Sequence, residues 1–205
     1  MTTTSLTMHA ATFQPRLYSH HSAQRTRLST DGFCDTPATL NLSQELYMGL
    51  SHGNATISYR ALAELELTTR QAWDQAAHNL IGRASTPEGI RFDIRSAQAT
   101  TRISAPALEV RVPGAPITAW LAHPRTFHIL NQHLELRLGE NIFYLAPTTN
   151  TLIAIPAGHP RILDFQKWAT SVSPRGGEQG IVDKLLVYRH GFPAPFVPAR
   201  LALSA

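Results

Sequence analysis

Leu138–Pro156, LGENIFYLAPTTNTLIAIP, is the stretch on which the reading of the fold turns. Ile142–Leu145 and Leu152–Ile155 are apolar and partly β-branched or aromatic, and each run is followed by a proline or leads into one. The polar segment Pro147-Thr148-Thr149-Asn150 lies between them. This pattern predicts a β-hairpin with a four-to-six-residue loop, most of whose surface enters a core. Upstream, a helix is expected from Pro124 to about Leu138. Proline is tolerated at its first position because that amide has no partner within the helix. Phe127, Leu130, Leu134 and Leu138 form its apolar stripe, and Gly139 suits its end. Downstream, Pro160–Val172 repeats the plan, with Ile162, Phe165, Trp168 and Ala169 facing inward.

Working outward, the clearest further helix is Thr69–Arg83. Thr68 or Thr69 can cap it, and Ala72, Trp73, Ala76, Ala77, Leu80 and Ile81 lie on one face. Strands are expected at Glu45–Leu50, Ala55–Arg60, Ile90–Ile94, Leu108–Val112 and, last, Lys184–Tyr188. Tyr59–Leu65 has the pattern of a short helix. Arg91, Asp93 and Arg95 on one strand, and Glu109 and Arg111 on another, are expected to alternate outward. Ser96–Thr101 and Pro174–Gly180 read as loops, and the proline-rich end from Pro193 as extended. Ile117–Ala122 fits either a strand or a helical turn. The sum is an α+β fold: an antiparallel or mixed sheet of five or six strands, with three main helices packed largely on one face.

Residues 1–38 differ from the rest. They are rich in Ser, Thr, His and Arg, carry no acidic residue before Asp31, and show no sustained periodicity. A flexible or loosely docked tail is expected there, followed by one domain over 39–198 and a short tail over 199–205. With 205 residues, 43% hydrophobic and 16% charged, the chain suits a globular domain better than a disordered or coiled-coil one. Its net charge of +4 comes almost entirely from scattered arginines, so a solvated, slightly cationic surface is expected. Nucleic-acid binding is a minor alternative. The one cysteine, Cys34, excludes an intramolecular disulfide, which fits a cytoplasmic setting. No apolar run approaches the roughly 18 residues of a membrane helix, so no membrane association is expected.

Three stretches together resemble the YtpQ-like family of uncharacterised bacterial proteins. They are ELYMGLSHGNATISYRALAELELTTRQAWDQAAHNL from Glu45 to Leu80, NIFYLAPTTNTLIAIP of the hairpin, and LLVYRHGFPAPF from Leu185 to Phe196. With gaps they span about residues 43–198. The resemblance implies an α+β domain in a bacterial cytoplasm. It implies no activity and carries over no catalytic residue. Ser51-His52 stands where similar proteins tend to have an acidic residue.

No signature of catalysis is present. There is no Gly-x-Ser-x-Gly elbow, phosphate-binding glycine loop, His-Glu-x-x-His or Cys-x-x-Cys. No metal and no cofactor are expected. The ten histidines are the one notable excess. His123-Pro124-Arg125 and His159-Pro160-Arg161 both precede helices. The plain reading is a repeated helix start, with His near the cap and Arg in solvent; the functional one has both motifs converge on an anion. Candidate ligand-binding residues are therefore His123, Arg125, His159 and Arg161, with the polar strand exit Tyr188, Arg189 and His190. Trp120, Phe192 and Phe196 are candidates for an exposed interface. The expected function is a non-enzymatic protein-interaction or binding module whose partner is another protein. The alternative is an enzyme built on a His/Arg pocket.

Overall fold

The computed structural model describes residues 10–20, 27–28, 34–43, 45–53, 55–139, 141–173 and 180–196. Its strands are β1 (Phe13–Ser19), β2 (Arg27–Leu28), β3 (Cys34–Asp35), β4 (Thr39–Asn41), β5 (Leu46–His52), β6 (Ala55–Thr56), β7 (Ser85–Thr86) and β8 (Gly89–Ile90). They continue with β9 (Asp93–Ser96), β10 (Leu108–Arg111), β11 (Ile142–Thr148), β12 (Thr151–Pro156), β13 (Gly180–Arg189) and β14 (Phe192–Pro195). The helices are α1 (Tyr59–Glu64), α2 (Thr69–Ala84), α3 (Gln98–Thr101), α4 (Pro124–Leu138) and α5 (Ile162–Val172).

The hairpin β11–β12 lies at the centre of a six-stranded antiparallel sheet ordered β14-β13-β11-β12-β10-β9. Thr148 pairs with Thr151, so the turn is only Thr149-Asn150, shorter than the sequence suggests. The register shifts between Leu145 and Thr148. Pro147 falls in that interval and has no amide to give the ladder. A second antiparallel sheet runs β1-β5-β4, with β6 added to β5. The fold is α+β, with three main helices.

Alternation along the hairpin sends side chains to two cores. Ile142, Tyr144, Ala146, Leu152 and Ala154 join Val110 and Leu186 in the larger core. That core also takes Phe13, Leu17, Met48 and Leu50 of the second sheet, Ala72, Ala76 and Leu80 of α2, and Phe127, Leu130 and Leu134 of α4. Phe143, Leu145, Ile153 and Ile155 point the other way, against Phe165 and Ala169 of α5. Two of the three main helices thus serve one face and α5 the opposite one. Both faces of the central strands are covered, which explains their continuous apolar runs.

Several expectations need correction. Phe13–Ser19 lies inside the expected tail but is a full sheet strand, paired with β5 from Phe13↔His52 to Ser19↔Leu46. Phe13, Leu17 and Tyr18 are buried; Pro15 and Arg16 between them hide the alternation in the sequence. Ile90–Ile94 is not one strand but two pieces, β8 and β9. The Ser96–Thr101 loop holds α3. Ile117–Leu121 is a 3-10 helix, the helical of the two alternatives for Ile117–Ala122. Lys184–Tyr188 belongs to a longer strand and is not the last one, since β14 folds back on it through Gly191. Of the expected Pro174–Gly180 loop, 174–179 lie outside the described residues, as does the 199–205 tail.

Candidate functional site

The first His-Pro-Arg sits at the start of α4. His123 is the N-cap and its Nδ1 accepts the Arg125 amide at 3.1 Å, so the ring proton lies on Nε2. Nε2 then donates to Asp74 Oδ1 at 3.0 Å. The ring packs on Trp73 with centroids 4.5 Å apart, and the Trp73 indole donates to the Ala122 carbonyl at 2.7 Å. Burial pushes the His123 pKa down, against the opposing pull of Asp74. A neutral imidazole with both nitrogens engaged caps a helix well and has no free nitrogen for acid–base work.

The turn joining β13 to β14 is pressed on the same helix start. A Cβ on Gly191, whose φ is +87°, would lie 2.6 Å from Pro124 Cβ, so only glycine fits this approach. Tyr188 packs edge-on against Phe127, and its hydroxyl hydrogen-bonds His128 Nδ1 at 2.9 Å. His123, Arg125, Tyr188, Arg189 and His190 therefore gather around the first turn of α4, with Arg125, Arg189 and His190 exposed. His159 and Arg161 do not join them. They precede α5, on the other face of the sheet. There His159 Nδ1 accepts the Arg161 amide at 3.2 Å and Arg161 Nε pairs with Asp164 at 2.8 Å. The two motifs are repeated helix starts that do not converge.

Trp120 is no interface residue. It is fully buried, with Phe92 edge-on at 4.8 Å. The apolar pattern around Trp120 has core packing as its default reading and an exposed anchor as the alternative, and the fold places it in the core. Phe192 is half-buried, whereas Phe196 is exposed, its ring centroid 4.6 Å from that of Phe143. Around α5, Leu163 is 66% exposed and lines a groove of about 390 Å³ with Gln166, Lys167 and Thr170.

The group the sequence reading missed is centred on Glu109. It was expected to face solvent, yet its side chain is only 3% exposed. Arg111 Nε and Nη2 donate to Oε1 at 3.0 and 2.8 Å. Arg95 Nε donates to Oε2 at 2.9 Å, and the Thr100 hydroxyl donates to the same oxygen. Burial works to raise the carboxyl pKa, but the hydrogen bonds from Thr100, Arg111 and Arg95 together hold it below its ordinary value. Alternation within β10 does put Glu109 opposite Val110. What the sequence did not disclose is that α3, expected as a loop, closes over it with Thr100.

Among the described residues, no three or more His, Cys, Asp or Glu side chains are arranged to hold a metal ion, and no helix is long and apolar enough to cross a membrane. No family model, no curated protein and no solved structure matches this chain.

Proposed function

We propose that the protein is a non-enzymatic interaction module whose protein partner docks on the α5 side of the six-stranded sheet. One observation carries this reading. Five large apolar residues are exposed among the described residues: Tyr59, Leu136, Leu163, Val172 and Phe196. Three of them, Leu163, Val172 and Phe196, belong to α5 or to the sheet face it covers. Phe196 reaches that face because its amide donates to the Leu185 carbonyl at 2.8 Å, which extends the β14 pairing by one residue. Leu163 and Val172 stand half a turn apart on α5, so the reading rests on Leu163, a large exposed apolar residue that lines a groove. Lys167 lies within the Leu163 groove, so the fitting partner is an apolar protein segment carrying an acidic residue.

Dispersed charge gives the nucleic-acid alternative less support. Arg60, Arg91, Arg95, Arg111 and Arg161 are each paired with a carboxylate of this chain. The test is site-specific photocrosslinking in native extract, with the crosslinker at Leu163 and, as controls, at Val172 and at Leu136 on α4. A single adduct at Leu163 that Lys167→Glu abolishes is the expected result. Adducts of equal yield at Leu136, or none at Leu163, would refute the α5 surface.

A further inference from the structure

The depression beside Glu109 is separate from the α5 surface. It has a volume of about 380 Å³ and is lined by Thr100, Glu109, Arg111, Val112, Ala115, Ile117, Asn150 and Thr151. We propose that it binds a small organic anion, one carboxylate or phosphoryl group on a short apolar body, with Arg111 as the anion contact.

Three features of the site lead there. First, the buried Glu109 fixes the guanidinium. Arg111 gives Nε and Nη2 to one carboxylate oxygen, which leaves Nη1 with no partner among the described residues while the residue lines the depression. A planar fork held from behind presents its remaining N–H groups without further loss of side-chain freedom. Second, the charge balance is positive. One carboxylate stands between two arginines, Arg95 and Arg111. Glu109 is already satisfied on both oxygens, so a cation gains nothing there and an anion meets net positive charge. Third, the walls are mixed. Asn150 and Thr151 come from the hairpin turn, while Val112, Ala115 and Ile117 give an apolar side. A few polar groups set in an apolar lining, at a volume within the ordinary range of roughly 300–1,000 Å³, are the make-up of a small-ligand site.

The experiment is an amide NMR titration of the full chain with sodium butyrate and, separately, inorganic phosphate at constant ionic strength. Saturable shifts confined to Thr100, Arg111, Asn150 and Thr151 are expected. Stronger binding of butyrate identifies a carboxylate with an apolar body; binding of phosphate alone identifies a phosphoryl anion. Ala115→Asp, which places a competing carboxylate in the depression and leaves the Glu109 ion pairs intact, should weaken binding at least about tenfold, the loss expected for one charged hydrogen bond. Arg111→Gln should do the same if it folds, and Arg70→Gln on α2 should change nothing. Shifts that never saturate with either anion, or affinity that survives Ala115→Asp, would overturn the proposal.

Discussion

The same tripeptide, His-Pro-Arg, starts a helix on each face of the six-stranded sheet, and the two copies end differently. In both, the histidine Nδ1 accepts the amide of the arginine two residues on, at 3.1 Å in one and 3.2 Å in the other. That bond is local and follows from the sequence. The surroundings are not. His123 is buried between Trp73 and Asp74, directly caps α4, and stands beside the Gly191 turn. His159 sits two residues before the N-cap of α5, and Arg161 turns to Asp164 and solvent. A local motif thus sets a hydrogen bond, and the packing decides whether that bond matters for stability.

The strongest way to break the comparison is to remove the anchor of each helix. Phe127 and Phe165 are both fully buried, so Phe127→Ala and Phe165→Ala should each cost about 3–5 kcal/mol by denaturant unfolding. Equal losses would show that both faces are true cores; a loss below 1 kcal/mol at Phe165 would reduce α5 to a loosely attached helix. Next in size, His123→Ala should cost about 2 kcal/mol, since a cap bond and a ring contact go together. His159→Ala should cost about 0.5 kcal/mol, the low end for one hydrogen bond. Similar values for the two would erase the contrast between the two helix starts.

Acidity sharpens it further. The His123 pKa is lowered on folding, so the unfolded chain binds the proton more readily. Its contribution is present above the ordinary value of 6.5 and is lost as pH falls below it. Protonation removes the acceptor that caps Arg125. In His123→Asn, a good cap that does not titrate, the unfolding midpoint should be flatter between pH 7 and about pH 5.5. Glu109, also lowered, contributes above its ordinary 4.5 and is lost only in more acid solution, so the two windows separate. A wild-type midpoint independent of pH through the upper window would contradict the His123 geometry. The smallest effect belongs to the exposed Arg161–Asp164 pair, where Asp164→Asn should change stability by about 0.3 kcal/mol.

Periodicity carried much of this architecture. The stripe of α4, a threonine cap on α2 (Thr68 of the two candidates) and the two strands of the hairpin stand where local pattern put them. Thr68 even completes a capping box with Gln71. Elements held by partners distant in sequence were harder to see. β1 has two apolar anchors interrupted by Pro15 and Arg16, and becomes a strand through β5, more than 25 residues later. The candidate site shows the same divide. His-Pro-Arg was visible as a motif and proved structural, whereas Glu109 looked like an ordinary outward residue.

By itself, then, the sequence determined the three main helices, the starts of α2 and α4, and the two-sided apolar character of the central hairpin. Those follow from dihedral preference, capping and the burial of periodic apolar groups. Only the tertiary structure decided which face each helix covers, that Trp120 is core, that the two histidine motifs stay apart, and that Glu109 is enclosed by Arg95, Thr100 and Arg111. Burial and charge pairing are properties of neighbours in space, and a single strand does not encode who its neighbours will be.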